Sequence, residues 1–494
     1  MAIGTQSTPM RWMAGPLDVA RRQKDKDFTA AMGDVLRQWL DPTLLSLVQG
    51  TPINCLIVSW ASGVPADAEQ QTALKPLLDK AKAAGLDVVG LIDGPGDKAA
   101  AIAAARAAGL AAIALEKAPA ADAGIPVIVW GSSGTAVPAA NSPAVAVTDG
   151  SWPGVGQGKD PQGGPTNLPW VDSNGGLIAM SQALAPGKAV WVVADPPKGA
   201  ALTIDSFQLA IADAEAHSGR WVIALDDVTR AQLAAKNAAT TATFKKVTDY
   251  LGYFDQHKAL RAYERAGRLA LVANFTDPLD RLLAEQALNL LPRQREPYRV
   301  IARSQALAAP FDGLQGIFYV DQEAPEAKLR AKLIAFVEAG GFLFVRAKWP
   351  SPEGTPVQLS TEEAYVLFNE RSLGKGRLAV AKVDELDPFF ACTDIQSIMS
   401  HRNDPLRVYN GPSMNCVFAA APGGKQAAIH VLNFSKRAGG DAAVFFIKTP
   451  FKTASFASPE LAAPAPLTWV PQAAGGAELT LPKFAVYGVI QLES

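Results

Sequence analysis

Carboxylic acids and tryptophans follow the apolar runs in the first half of the chain. The residues at the ends of these runs are Trp60, Asp93, Glu116, Trp130, Asp149, Asp195, Asp226 and Asp227. Two carboxylates can cleave a glycosidic bond, because one protonates the leaving oxygen while the other attacks the anomeric carbon or activates water. Aromatic rings suit a sugar, since the apolar face of a pyranose packs on the ring. These residue types predict carbohydrate chemistry where the runs end.

Some of these acids have a structural interpretation. An acid between a strand and a helix often accepts hydrogen bonds from the first amides of that helix. Asp93, in "LIDGPGDK", has the surroundings of a turn or cap residue. One of Asp226 and Asp227, which precede "VTRAQLAAK", is expected to cap that helix, so Asp226 has two interpretations, a cap and a substrate contact.

The segment from Asp149 to Ser173 has neither a helical nor a strand period. It contains six glycines, four prolines and two tryptophans, and long irregular segments inside compact domains are typical of functional loops. We predict a binding loop or lid at the barrel mouth, with Trp152, Trp170, Asp172 and Asn174 contacting substrate. The alternatives are that Trp170 packs on the core and that Ser173 or Asn174 caps the following helix.

The elements that would position these residues alternate regularly. Short apolar runs such as "INCLIVSW", "DVVGLID" and "AVWVVAD" are separated by amphipathic, alanine-rich stretches, which is the pattern of a parallel sheet covered on both faces. Eight such units in about 230 residues favour a (β/α)8 barrel, whose reacting groups lie at the carboxyl ends of the strands. One long helix is predicted from Thr240 to Gly267, so the barrel spans residues 1–267.

Two further domains are predicted after the barrel. "RLALVANF", "YRVIA", "GIFYV" and "GFLFVRA" indicate strands separated by helices, hence an α/β layer over residues 268–385. In residues 386–494, short runs such as "AAIHVLNFS" and "YGVIQLE" are separated by Pro, Gly and Ser turns, which is typical of an antiparallel β-sandwich.

This domain order resembles that of the family 42 β-galactosidases, which have a barrel, an amidotransferase-like α/β domain and a C-terminal sandwich. The similar segments are "GRLALVANF", "FVEAGGFLFV", "SLGKGRLAV", "HVLNFS" and "LTLPKFAVYGVIQLE". The resemblance implies a glycoside hydrolase and a homo-oligomer supported by the α/β layer. Active amidotransferases use a cysteine nucleophile, and no cysteine lies between Cys55 and Cys392, so we expect no separate catalysis in that layer.

The resemblance also implies a catalytic pair. The related glycosidases carry the acid/base and the nucleophile at the ends of strands four and seven, where this chain has Glu116 and Asp195. The chain departs from the family pattern at two points: Leu115 stands where the family has Asn, and the second position is Asp195, an aspartate followed by two prolines, where the family has Glu. Asp149 is the third candidate.

Composition excludes several classes of partner. The formal net charge is −1, so no basic excess attracts nucleic acid or anionic lipid. Three cysteines and four histidines have no metal-ligand spacing, and no glycine motif for a dinucleotide or phosphate is present. We expect no cofactor and no metal. No signal peptide or membrane segment is recognisable, so a soluble chain is expected, periplasmic or secreted if an export signal has been removed.

Three functions remain open. The first is a glycoside hydrolase that acts by two carboxylates on a carbohydrate. The second is a catalytically inactive barrel that binds glycans or assembles into a larger complex, which the surroundings of Glu116 and Asp195 favour. The third is a lyase or deacetylase, although the scarcity of histidine disfavours metal-dependent versions.

Overall fold

The protein is described by a computed structural model that covers most of the chain. The described residues are 3–95, 97–119, 122–134, 136, 138, 141–153, 172–197, 202–358, 365–400, 404–409, 413–435, 444–447, 450–473 and 475–494. They fall into two compact units. The first comprises Met1–Gly164 and Ala185–Lys258, and the second comprises Pro165–Leu184 and Ala259–Ser494.

The first unit is an eight-stranded parallel barrel, as predicted. Its strands are β1 (Pro9–Arg11), β2 (Cys55–Ala61), β3 (Asp87–Ile92), β4 (Ala112–Leu115), β5 (Val127–Gly131), β6 (Ala144–Val147), β7 (Ala189–Val192) and β8 (Arg220–Trp221). They lie in chain order. A parallel bridge between Met10 and Ile223 joins the first strand to the segment after the last. Since the apolar runs are buried on both faces, no strand shows a polar side.

The interior of the barrel is filled by alternate side chains of its strands. The buried cluster contains Cys55, Ile57, Val89, Leu91, Ala112, Ala114, Ile128, Ala144, Ala146, Ala189, Trp191 and Val222. Side chains along a strand alternate between the two faces of the sheet. The residues of this cluster therefore show which positions of each strand face the barrel interior.

The helices of the first unit follow the strands unevenly. They are α1 (Pro16–Arg22), α2 (Ala30–Gln38), a 3-10 helix (Pro42–Leu47), α3 (Ala66–Ala83), α4 (Lys98–Ala107), α6 (Ile204–Ala216), α7 (Asp227–Ala234) and α8 (Ala238–Gln256). Within the described parts of 116–126 and 132–143 no helix is present, so β4 and β5 are each followed by an irregular connection. The sequence predicts one irregular connection, after β5.

The helix between β6 and β7 belongs to the second unit. This helix, α5 (Gly175–Leu184), contributes Ala179 and Met180 to the core of the α/β layer. A side chain on Gly176 would lie 3.0 Å from the carbonyl oxygen of Glu285 and 3.1 Å from Leu288 Cβ, so glycine permits the close approach.

The long helix predicted for residues 240–267 is wrong at its end. Helix α8 stops at Gln256, a 3-10 helix follows at Lys258–Ala262, and β9 (Glu264–Arg265) then joins the sandwich. Propensity favours continuing the helix, but pairing of β9 with Ala419 and Ala420 gives these backbone groups partners in a sheet instead.

The second unit contains an α/β layer and a sandwich. The layer has strands β10 (Leu269–Ala273), β11 (Tyr298–Ala302), β12 (Gly316–Tyr319), β13 (Phe342–Val345), β14 (Thr355–Pro356), β15 (Phe368–Leu373) and β16 (Gly376–Ala381). Its helices are α9 (Pro278–Arg293), α10 (Arg303–Ala306), α11 (Ala327–Glu338) and α12 (Pro388–Ile398). The sheet order is β11-β10-β12-β13-β16-β15-β14, with β15 and β14 antiparallel.

The sandwich packs a four-stranded sheet on a six-stranded one around a shared core. Its other strands are β17 (Leu406–Tyr409), β18 (Met414–Ala420), β19 (Gln426–Asn433), β20 (Val444–Ile447), β21 (Thr453–Ala457), β22 (Ala465–Pro466), β23 (Val470–Pro471), β24 (Ala477–Thr480) and β25 (Tyr487–Glu493). Within the described ranges, no helix combines the length and the hydrophobicity that a membrane span requires.

Candidate active site

The carboxyl ends of β1, β2 and β3 carry a connected polar network. Asp18, on α1, is fully buried and accepts hydrogen bonds from the Ala14 amide at 2.8 Å and from Ser59 Oγ at 2.6 Å. Ser59 Oγ in turn accepts from Arg11 Nη2 at 3.2 Å and from Arg21 Nη1. The buried carboxylate thus fixes two guanidinium groups through one hydroxyl.

Asp93 continues this network toward solvent. Its Oδ1 atom accepts from Arg21 Nη2 at 2.5 Å and from Ser62 Oγ, and Arg21 Nη2 also lies 3.0 Å from Ser62 Oγ. The Asp93 side chain is 44% exposed. The cap of helix α4 is Asp97, whose side chain accepts from Ala99 and Ala100. Asp93 therefore does not cap that helix.

Arg11 connects this network to the opposite side of the barrel mouth. Its guanidinium carbon lies 5.7 Å from the ring centroid of Trp130, a half-buried tryptophan at the end of β5. Burial lowers the pKa of Arg11, whereas the charges of Asp18, Asp195 and Asp93 act in the opposite direction. Asp93 follows β3 and Asp195 follows β7, so both lie beyond the carboxyl ends of strands of the same parallel barrel.

Glu116 directly follows β4 and is exposed. Leu115, the last residue of β4, pairs with Ile92 on one side and Val129 on the other. Glu116 is the first residue after this pairing, beyond the end of β4. The side chain of Ala114, two residues earlier, belongs to the barrel interior.

Asp195 is held through its backbone. Trp152 is 4% exposed, and its Nε1 donates to the carbonyl oxygen of Asp195 at 3.0 Å. The Trp152 ring makes edge contacts with Trp221 and Phe207, at centroid distances of 4.9 and 5.2 Å. Trp152, predicted as a substrate contact, is thus a buried support for the exposed Asp195.

Asp149 links the ends of β5 and β6. Its two carboxylate oxygens accept from the Ser133 amide at 3.0 and 3.1 Å, and Oδ2 also accepts from Ser133 Oγ at 2.7 Å. The residue is exposed. Asp149 is accordingly a fixed carboxylate without a cationic partner among the described residues.

Two predicted site residues have structural partners. Trp60 is 2% exposed, and its Nε1 donates to the Ala101 carbonyl oxygen of α4 at 3.0 Å. The alternation that turns Ser59 inward turns Trp60 outward, toward the helices. Asp226 caps α7, accepting from the Thr229 amide at 2.8 Å and from Thr229 Oγ1 at 2.6 Å, which confirms the capping interpretation.

The predicted binding loop is described only at its ends. Trp170 lies outside the described residues. Asp172 and Asn174 belong to the second unit, where Asp172 is exposed and Asn174 is 2% exposed. The Asn174 carbonyl accepts the first helical bond of α5, from Ile178, and Ser173 Oγ accepts from the Gly175 amide. These contacts fit the alternative that this pair begins the helix.

Sequence reasoning missed the arginines and serines of the network. Arg11 is a charged residue at the carboxyl end of β1, and Ser59 is a hydroxyl within the apolar run "INCLIVSW". The sequence signal that could have identified them is a polar residue near the end of a strand, at a position that faces the barrel interior. Among the described residues, no group of three or more His, Cys, Asp or Glu side chains is arranged to hold a metal ion.

Comparison with known proteins was decisive for the fold. The chain superposes on Gan42B, a family 42 β-galactosidase from G. stearothermophilus, with a TM-score of 0.54 over 99% of this chain and 98% of that one, at 9% identity. The chain has the fold of that enzyme. This confirms the resemblance predicted from the domain order, and at such low identity it concerns the fold alone.

Two other glycosidases align less closely. They are α-L-fucosidase isoenzyme 2 from Paenibacillus thiaminolyticus (TM-score 0.49, 10% identity, 93% of this chain and 80% of that one) and the exo-β-1,4-mannosidase Op5Man5 from Opitutaceae bacterium strain TAV5 (TM-score 0.46, 13% identity, 76% and 92%). No family model matches the sequence, and no curated protein matches it.

Proposed function

We propose that the protein is a glycoside hydrolase that cleaves O-glycosidic bonds at the carboxyl end of its barrel. The observation that carries the proposal is the gathering of carboxylates around Arg11 and Trp130. Asp93, Glu116 and Asp195 follow β3, β4 and β7, so all three lie beyond the carboxyl ends of parallel strands, and the Arg11 guanidinium lies over Trp130 at that end. Carboxylates beside an aromatic ring, in an open barrel end, are what a two-carboxylate cleavage of a sugar needs.

The substrate is a carbohydrate without strong charge. The strand ends carry the carboxylates of Asp93, Glu116, Asp149 and Asp195 in addition to buried Asp18, against the guanidinium groups of Arg11 and Arg21. The excess of negative charge disfavours anionic sugars. The half-buried ring of Trp130 offers an apolar surface to a pyranose, while the exposed carboxylates accept bonds from its hydroxyls.

Glu116 is the proposed acid/base. It is exposed and carries no hydrogen bond among the described residues, so it is free to meet a leaving oxygen. Asp195 is the second carboxylate of the pair that the family resemblance implies, with Asp149 as the third candidate. General acid or base action contributes about 10² to 10⁴ in rate, so each role is measurable by substitution.

The test is a hydrolysis screen with matched variants. Purified protein is incubated with aryl glycosides and oligosaccharides, and each hit is repeated with Glu116→Gln, Asp195→Asn and Asp149→Asn. Asp79→Asn, an exposed acid on α3, is the control for loss of one negative charge. We expect Glu116→Gln to lower kcat/KM by about 10²-fold or more, and the control to leave it unchanged. Full activity in Glu116→Gln would remove that residue from the mechanism.

A catalytically inactive glycan-binding barrel is the second candidate. It is favoured by the position of Asp195, three residues beyond β7 and followed by Pro196, where a catalytic carboxylate would extend from the strand end. Titration calorimetry with the oligosaccharides of the same screen distinguishes the two. Binding without hydrolysis by the unaltered protein would support the inactive barrel.

A further inference from the structure

We infer that the second unit binds a small carboxylate in a cavity beside Arg295, at the C-terminal end of α9. The cavity has a volume of about 270 Å³, and its wall combines residues that follow α9 with residues of α12 and β17. All of the residues that line it belong to the second unit. Binding at this site can therefore be tested separately from hydrolysis by the barrel.

Charged and planar polar side chains dominate the wall of the cavity. They are Gln294, Arg295, Gln396, Asp404, Arg407 and Tyr409. Sites for drug-sized ligands occupy about 300 to 1,000 Å³, so this cavity is at or below the lower end of that range. Its size suits a small molecule with one charged group rather than a nucleotide or a polymer.

The guanidinium of Arg295 lacks an acceptor. Its Nε atom is buried and has no hydrogen-bond partner, and among the described residues no carboxylate forms an ion pair with it. Burial and the charge of Arg295 both lower the pKa of Arg293, so a second cation is close by. A buried donor without an acceptor is costly, and an anionic ligand would remove that cost.

The other charges around the cavity balance one another. Arg268 binds Glu296 at 2.9 Å and Asp404 at 2.8 Å, and Arg407 binds Asp404 at 3.2 Å. These two guanidinium groups offset the two carboxylates, which leaves the charge of Arg295 in excess. An excess of one positive charge matches a carboxylate better than a doubly charged phosphate.

The backbone of Arg295 gives independent support. Its φ of 61° lies in the left-handed region, just past the last turn of α9, where the Glu296 amide donates to the Leu291 carbonyl at 2.9 Å. Glycine is the usual residue at this position because a side chain is strained there. The helix dipole favours a cation near this end, but an exposed lysine would provide the same charge without a buried nitrogen. A functional side chain explains the strain.

Arg407 and Tyr409 supply the opposite wall for the ligand. Arg407 donates to Tyr409 as well as to Asp404, so its guanidinium is fixed beside the cavity. Tyr409 is 44% exposed, and its ring offers a flat apolar surface next to the charged groups. Two arginines and an exposed ring fit a carboxylate carried on a small ring, as in a sugar acid.

The first experiment titrates the full chain by calorimetry at one ionic strength, maintained with chloride. The probes are D-glucuronate, acetate, inorganic phosphate and neutral D-glucose. We expect one glucuronate per chain, with weaker binding of acetate and of phosphate, and no glucose at this site. The absence of carboxylate binding, or tighter binding of phosphate than of both carboxylates, overturns the inference.

The second experiment repeats the titration with variants of Arg295. Arg295→Gly removes the guanidinium and suits the left-handed backbone, so we expect it to fold and to weaken glucuronate binding by about 10- to 100-fold. Arg295→Lys keeps the charge but loses the planar pair of donors, so its affinity should lie between the two. Arg106→Gln, which removes an exposed arginine from α4, is the control and should bind like the parent. Unchanged binding by Arg295→Gly overturns the inference.

Hydrogen exchange of the unaltered protein locates the ligand without any substitution. Glucuronate should slow amide exchange in residues 294–296 and 404–409. Protection confined to residues of the first unit would place the ligand in the barrel and overturn the inference. Because neither experiment requires hydrolysis, a protein that cleaves no glycoside can still bind the carboxylate, and an active hydrolase can fail to bind it.

Discussion

Replacing Trp152 with phenylalanine tests whether its hydrogen bond to Asp195 matters for activity, apart from its contribution to the stability of the barrel. The substitution removes one indole N–H bond of 3.0 Å to the Asp195 carbonyl but keeps a ring between Trp221 and Phe207. Trp60→Phe is the matched control, because Trp60 is equally buried and its indole also makes one bond of 3.0 Å, to Ala101.

The two substitutions should cost similar stability. The lost hydrogen bond is worth about 0.5 to 1.5 kcal/mol, and the smaller ring leaves a cavity that adds about 1 kcal/mol. The total is about 1.5 to 2.5 kcal/mol for each variant, which lowers Tm by roughly 3 to 10 °C for a unit of this size. Thermal unfolding followed by circular dichroism measures the two shifts.

Activity should distinguish the variants. Without the Trp152 bond, the backbone at Asp195 is less fixed, and a displacement of about 1 Å can cost up to about 10²-fold in rate. We expect kcat/KM of Trp152→Phe to fall by on the order of 10-fold, while Trp60→Phe stays within about two-fold of the parent. Equal activity losses in both variants would refute the reasoning, since the effect would then follow stability alone.

Four further outcomes are expected. Arg21→Met should lower kcat/KM by about 10-fold, measured by initial rates, because Arg21 holds the half-exposed carboxylate of Asp93 in place at the barrel mouth. Arg268→Met should lower the free energy of unfolding by about 3 to 5 kcal/mol in denaturant titrations, because Arg268 binds buried Glu296 at 2.9 Å on both oxygens and would leave it unpaired. Burial raises the pKa of Asp321 to about 6 from an ordinary 3.8, so the folded state binds this proton more tightly than the unfolded state. The contribution of Asp321 to stability is therefore greatest at low pH and falls by roughly 3 kcal/mol as pH rises from about 3 to about 7, a slope that Asp321→Asn should lack. The α/β layer should support self-association, so light scattering should give a mass above that of the monomer.

The barrel was predictable because its strands are buried on both faces. Seven of the eight predicted apolar runs contain a strand, in chain order, and the first, "RWMAG", meets β1 only at Arg11. Hydrophobic periodicity did not predict that α5 packs on the α/β layer. A stripe of apolar residues indicates that one face of a helix is buried, but it does not identify the element that covers that face. Periodicity also failed after Gln256, where a sheet edge far along the chain competes with the helix for the backbone of residues 264–265.

The candidate site was predictable only in part. The acids at strand ends were identified, and Asp93 and Asp195 do follow strands of one parallel barrel, β3 and β7. The roles of Trp60 and Trp152 depended on which face of the sheet each side chain occupies and on its burial. Trp60 is three positions after Ile57, whose side chain faces the barrel interior, so Trp60 faces the helices. The network of Asp18, Arg21 and Ser59 joins residues up to 41 positions apart. A local sequence pattern therefore cannot predict these hydrogen bonds.

The assignment of α5 to the second unit constrains how the chain can be made. The helix is synthesised between β6 and β7, yet its packing partners, α9 and β11, follow it by roughly a hundred residues, which is many seconds at ordinary rates of translation. Until they emerge from the ribosome, Ala179 and Met180, which are buried in the core of the α/β layer in the finished fold, lack the side chains that cover them. A fragment ending at residue 267 would keep this helix without its cover, so we expect it to aggregate. The helix α5 can therefore reach its final packing only after the downstream part of the chain has been synthesised. During that interval, chaperones that bind apolar helices could act on it.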